Sequence, residues 1–80
     1  MRLVRGEVVW RLHATHGFPL ELSIPLLADR GLCPTWFDLL AAAERDGAKR
    51  SALVRRIMDI VGDAFDPETA HAIRTKLEAA

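Results

Sequence analysis

The sequence lacks the features that cross-link a small protein or anchor it in a membrane. Its single cysteine, Cys33, excludes an internal disulfide and is more typical of a reducing cytosol than of a secreted scaffold. No uncharged run approaches the roughly 20 apolar residues that span a bilayer, and no apolar region of signal-peptide length precedes Arg11. We therefore expect a cytoplasmic protein without a membrane segment.

The net charge is also zero, because 11 Lys and Arg residues balance 11 Asp and Glu residues. A global electrostatic attraction to nucleic acid or membrane is thereby excluded, and any basic site must be local. Half of the 80 residues are hydrophobic, which suffices for a core and is too much for disorder. We expect residues 1–80 to form one domain of marginal stability, supported by a partner or a second copy.

Glycine and proline divide the chain into helical segments. The first segment is predicted to run from Glu7 to His16 and to end at Gly17, a suitable left-handed C-cap. Pro19 disfavours helix at the preceding residue, so Phe18 is expected to be extended with its ring in the core.

The second helix is predicted to begin at Ser23 as N-cap, with Pro25 in its first turn and Gly31 at its end. Its inward-facing residues would be Leu26 and Leu27, followed by Leu32. The third helix is predicted to begin at Thr35 and to reach Arg45, with Asp38 completing a short variant of the capping box.

Two further amphipathic helices are predicted over residues 48–80. The first ends at Gly62, and the second begins at the N-cap Asp66 with Pro67 in its first position. No alternating strand pattern competes with this interpretation. The sequence thus predicts an all-α fold, a compact bundle or orthogonal array of about five short helices.

Residues 6–32 also contain an unusual pattern: Gly-Glu, an apolar pair, a basic residue and Leu, followed by Thr-x-Gly-Phe-Pro. The pattern resembles the segment of alanyl-tRNA synthetases that joins the helical tRNA-recognition region to the editing half. The matching residues are Gly6, Glu7, Arg11, Leu12, Thr15, Gly17, Phe18, Pro19 and Leu22, with Arg30, Gly31 and Leu32 at the downstream end.

The resemblance weakens after residue 32 and fades at about Arg45. His13 and His16 stand where the family usually has tyrosines, and Ala14 where it usually has an aspartate. What the resemblance implies is chiefly structural: a helix, a Phe-Pro corner and a second helix. The family's ATP- and alanine-binding motifs and its editing-site zinc motif are absent from the sequence, so we expect no enzymatic activity and no cofactor.

Basic residues cluster in one window, where they form a candidate site for tRNA or other RNA. The cluster consists of Arg45, Lys49, Arg50, Arg55 and Arg56. Lys49 and Arg56 are seven residues apart and would share a helix face, as phosphate recognition requires. The solvated side of an amphipathic helix is the favoured interpretation, since no aromatic residues are interleaved.

Three residues carry potential metal or nucleophilic chemistry. His13 and His16 are three apart on one helix side, and Cys33 adds a third possible ligand, but no recognised zinc spacing is present. We predict no metal site. Cys33 at the start of a helix is a weak candidate nucleophile, and a small buried cysteine is the commoner case.

Apolar residues on the third and last helices are candidates for contact with a protein. Trp36 is expected to face outward, and Ile73 and Leu77 form a stripe on a helix with polar sides. The favoured prediction is a non-catalytic binding or regulatory module that acts through a protein partner or self-association. RNA binding is the alternative, and the high alanine and arginine content indicates a bacterial or phage genome.

Overall fold

The computed structural model describes residues 1–79. Within them the chain forms five helices and one short two-stranded sheet, which confirms the predicted mostly all-α fold. The elements, in order, are β1 (Arg2–Val4), α1 (Gly6–His16), α2 (Leu20–Asp29), β2 (Leu32–Pro34), α3 (Trp36–Arg45), α4 (Arg50–Ala64) and α5 (Pro67–Glu78). No helix in residues 1–79 is both long enough and apolar enough to cross a membrane.

The small sheet was not expected from the sequence. β1 and β2 pair in parallel, with Arg2 opposite Leu32 and Val4 opposite Pro34. Cys33 therefore lies in a strand and not at the start of a helix. Strands of three residues are too short to show an alternating pattern, and their pairing joins positions about thirty residues apart.

α2 begins earlier than predicted, at Leu20, immediately after Pro19. Ser23 is consequently a buried interior residue instead of the N-cap, and Pro25 lies inside the helix. The cause is tertiary burial: Leu20 and Ile24, one turn apart, are both fully buried in the core. Their burial outweighs the local preference of serine for a helix start.

The two side chains predicted to cap the start of α3 form hydrogen bonds with the start of α1 instead. Thr35 is the N-cap residue, but its side chain makes no cap hydrogen bond within α3. Its Oγ1 instead accepts a hydrogen bond from the backbone N–H of Gly6 (2.9 Å), while Asp38 Oδ2 accepts one from the backbone N–H of Glu7 (3.0 Å). The two side chains therefore satisfy the free N–H groups at the start of α1.

The core lies where the helices pack in pairs. α1 packs mainly against α3, α2 against α4, and α4 against α5. α4 continues through Gly62 to Ala64, slightly beyond its predicted end. At the start of α5, Asp66 accepts a hydrogen bond from the Thr69 backbone N–H (3.1 Å), which confirms the predicted N-cap.

Candidate protein-interaction surface

The Gly17-Phe18-Pro19 corner joins α1 to α2. Gly17 is left-handed, with φ 68° and ψ 17°, and its N–H donates to the His13 carbonyl at 3.0 Å, as predicted for a C-cap. The expectation that the Phe18 ring fills the core is wrong. Phe18 is half-buried and forms part of the wall of a surface cavity, because Leu20 occupies the core at this corner.

Four exposed aliphatic side chains lie along α1 and α2. Val8 and Leu12 are one turn apart on α1, and Leu22 and Leu26 are one turn apart on α2; their exposed fractions range from 39% to 56%. We name this group the α1–α2 apolar surface. Single exposed hydrophobic residues are ordinary, but an adjoining set on neighbouring helices is typical of interaction sites.

A cavity of about 160 Å³ opens in this surface. Val8 and Leu12 contribute from α1, Leu26 from α2 and Phe18 from the corner. Sequence reasoning missed this site. The available signal was on α1, where Val8, Val9, Trp10 and Leu12 spread around more than one helix face, so that a single core cannot bury them all.

The predicted contact residues lie elsewhere, in the core. Trp36 is only 4% exposed, whereas its neighbour Phe37 is 45% exposed. Ile73 and Leu77 are also buried, because α5 packs its apolar stripe against the rest of the chain. These three residues are therefore unavailable to a partner in this fold, and the exposed leucines and valine described above replace them as candidates.

The five clustered cations do not form one free positive face. Lys49 precedes α4 as its N-cap residue, so it does not share a helix face with Arg56. Lys49 and Arg55 are exposed and make no salt bridge within residues 1–79. The remaining cations are paired with carboxylates, in the pairs Arg45–Glu7 (3.2 Å), Arg50–Glu44 (2.9 Å from Nε) and Arg56–Glu21 (2.6 Å).

The Arg56–Glu21 pair connects α4 to α2. Nε and Nη2 of Arg56 each donate to one oxygen of the carboxylate, at 2.6 and 2.7 Å, so the pair is bidentate. These hydrogen bonds lower the pKa of Glu21 from 4.5 to about 2. Arg56 is therefore engaged within the protein and is poorly placed to bind a phosphate.

The candidate metal ligand His13 contacts other groups in the structure. His13 Nδ1 lies 3.2 Å from the Phe18 carbonyl oxygen, and its ring centre lies 5.1 Å from that of Trp10. In residues 1–79 no group of three His, Cys, Asp or Glu side chains is arranged to hold a metal ion. Cys33 is buried, and burial raises the pKa of its thiol, which disfavours the nucleophilic thiolate.

Comparison with known proteins extends the resemblance seen in the sequence. The chain is 39% identical over 64 residues to an alanine–tRNA ligase of Parafrankia sp., which covers 78% of this chain and 7% of the ligase. The corresponding ligase of Frankia casuarinae is 35% identical over 69 residues, covering 84% of this chain and 8% of the ligase. That of Dichelobacter nodosus is 34% identical over 55 residues, covering 66% of this chain and 6% of the ligase.

No family model matches the chain, and no solved structure matches it. The chain spans less than a tenth of the length of the curated relatives described above. The similarity extends beyond residues 6–45, since up to 84% of the chain is covered. Over most of its length, this protein is therefore similar to one short segment of alanine–tRNA ligases.

Proposed function

We propose that this chain is a small, non-catalytic helical binding module that acts through a protein partner or through self-association. The observation that carries the proposal is the α1–α2 apolar surface, with its cavity. Trp36, Ile73 and Leu77, the residues first assigned to contacts, are buried, and the other large exposed apolar side chains are Met1, Leu3 and Phe37. Burial of such an apolar surface against a complementary surface removes it from water and so lowers the free energy of the complex.

A non-catalytic role is supported by the limited extent of the resemblance and by the chemistry of the side chains. The relatives are named for ligating alanine and tRNA, but the shared part is less than a tenth of their length. The one thiol, Cys33, is buried and has a raised pKa. We infer that the chain contributes a binding surface and not a reaction centre.

Binding of tRNA is the competing proposal, supported by the relatives' name and by the exposed cations Lys49 and Arg55. Pairing of Arg45, Arg50 and Arg56 with carboxylates weighs against it, since each paired cation must lose its partner before it binds a phosphate.

Light scattering across a dilution series, with and without bulk tRNA, tests both proposals. Self-association should raise the mass above the monomer value of 8.9 kDa at high concentration, with little dependence on salt. tRNA binding should instead weaken steeply as salt is added.

A matched pair of variants locates the surface. Leu26→Glu places a charge within the α1–α2 apolar surface, whereas Leu3→Glu changes an exposed leucine outside it. We expect Leu26→Glu to abolish self-association, or capture of a partner, while Leu3→Glu retains it. Equal loss or equal retention in the two variants would contradict the assignment of this surface.

A further inference from the structure

We propose that the cavity in the α1–α2 apolar surface binds a phenol ring, namely the tyrosine side chain of a different protein, presented on an acidic segment. The proposal rests on the proposed function, because it specifies the anchor and the charge of the protein partner. Three independent features of the cavity support it: its size, a buried hydroxyl group in its wall and a cation that forms no salt bridge within residues 1–79.

The size of the cavity suits a single six-membered ring. Its volume of about 160 Å³ is close to the roughly 150 Å³ of an engineered protein cavity that binds benzene. Most of its lining is hydrocarbon, with Val8 and Leu12 on one side and Leu26 and Leu27 on the other. Phe18 adds an aromatic wall, against which a second ring can pack in an edge-to-face or offset arrangement.

The hydroxyl group is that of Ser23, which is among the residues that line the cavity. Ser23 is only 5% exposed, and its Oγ has no hydrogen-bond partner within residues 1–79. A buried hydroxyl without a partner destabilises a fold and calls for an explanation. A phenol hydroxyl supplies the missing partner, whereas an aliphatic or phenyl side chain leaves Ser23 unsatisfied.

The cation is Arg30, which is exposed at the cavity. Its guanidinium forms no salt bridge within residues 1–79, and none of the residues that line the cavity is acidic. A guanidinium in this position favours a carboxylate on the segment that carries the ring. Residues 1–80 contain no tyrosine, so none of them can supply the ring.

Titration of the whole chain with p-cresol, the side chain of tyrosine, tests the cavity directly. Toluene, which lacks the hydroxyl group, is the matched probe, and amide chemical shifts in two-dimensional NMR report the binding. We expect saturable shifts at Val8, Leu12 and Leu27, with p-cresol bound about fivefold more tightly than toluene, the factor contributed by one net hydrogen bond. Equal affinity for the two probes, or no saturable shift, would overturn the proposal.

Variants separate the hydrogen bond from general apolar binding. Ser23→Ala should remove the preference for p-cresol and leave toluene binding unchanged. Ser51→Ala, which changes an exposed serine on α4, should preserve that preference. A Ser23→Ala chain that still prefers p-cresol would show that the hydroxyl group is not recognised, and would likewise overturn the proposal.

Peptides distinguish a tyrosine side chain from a free phenol. An acidic pentapeptide with a central tyrosine should bind better than its phenylalanine counterpart. Arg30→Gln should weaken peptide binding without affecting p-cresol, whereas Arg55→Gln, a change at an exposed cation outside the cavity, should affect neither. Binding of p-cresol without binding of the peptide would indicate a small-molecule site and overturn the assignment to tyrosine.

The probes and the surface variants together distinguish failure of the tyrosine-anchor proposal from failure of the proposed function. If p-cresol and the peptide fail to bind while Leu26→Glu still abolishes partner capture or self-association, only the tyrosine anchor is wrong. If p-cresol and the peptide bind but Leu26→Glu and Leu3→Glu behave alike towards protein partners, the cavity is a ligand site and the apolar surface is not the protein contact.

Discussion

Replacing Gly6 with alanine should separate the two most extensively packed helices. A Cβ atom at Gly6 would lie 2.2 Å from the Thr35 carbonyl oxygen and 2.5 Å from the Leu39 backbone nitrogen. Both are backbone atoms, which cannot move aside as a flexible side chain can. Relief therefore requires α1 to move away from α3, and that movement lengthens the hydrogen bonds from the N–H groups of Gly6 and Glu7.

The expected cost is at or above the upper end of the range for overpacked cores, about 3 kcal/mol or more. A domain of this size has a total stability of only about 5 to 10 kcal/mol, so Gly6→Ala should lower the melting temperature by about 15 °C or more. Gly62→Ala is the matched control: it lies in α4, where the added Cβ meets only the end of the Arg74 side chain at 2.7 Å.

Gly62→Ala should leave stability unchanged or raise it by up to about 1 kcal/mol, because alanine is the better helix former. Circular dichroism melts of the two variants and the parent provide the comparison. A Gly6→Ala protein that melts within about 2 °C of the parent would refute the close α1–α3 contact, since such a shift corresponds to less than about 0.5 kcal/mol.

Three further outcomes are expected. Phe18→Ala should cost about 1–2 kcal/mol and Leu20→Ala about 2–5 kcal/mol by urea denaturation, because only Leu20 is fully buried; the reverse order would contradict the corner geometry. The folded-state pKa of Glu21 is depressed, so its pair with Arg56 stabilises the fold above pH 4.5 and is lost towards pH 2. Glu21→Gln should therefore destabilise by at most about 1 kcal/mol at neutral pH, since the pair is exposed, and by progressively less as the pH falls from 4.5 through 2, measured by unfolding at each pH. Cys33 should react with a thiol reagent at pH 8 only slowly until urea unfolds the chain, and rapid labelling of the native protein would contradict its burial.

The local sequence was sufficient to predict those helix ends at which a single residue type determines the backbone conformation. Gly17 adopts the left-handed conformation that its position at the end of α1 predicted, and Asp66 caps α5 as expected. The end of α1 at His16 was also correct. Each of these features depends on residues within one helical turn, so the information needed to predict it is contiguous in the chain.

Features that depend on distant residues could not be read in the same way. The start of α2 is determined by the burial of Leu20 and Ile24 in the core, and not by the capping preference of Ser23. Trp36 and Phe37 are adjacent apolar residues about 100° apart around a helix, and local sequence alone does not decide which of them faces the core. The candidate surface was missed for the same reason, because exposure is a property of the assembled helices.

The residues shared with alanyl-tRNA synthetases fall into two groups. Leu12, Phe18, Leu22 and Arg30 also belong to the proposed surface or line its cavity, whereas the other group holds the scaffold together. Gly6 and Glu7 start α1, and their backbone N–H groups donate to side chains at the start of α3, while Gly17 and Pro19 determine the corner into α2. Gly6, Glu7, Gly17 and Pro19 therefore preserve the scaffold that places the two helices. Ser23 lines the cavity and is not among the residues that match the family pattern. A partner that depends on Ser23 would therefore recognise this chain by a feature that the shared motif does not require, and the Ser23→Ala titration measures that dependence directly.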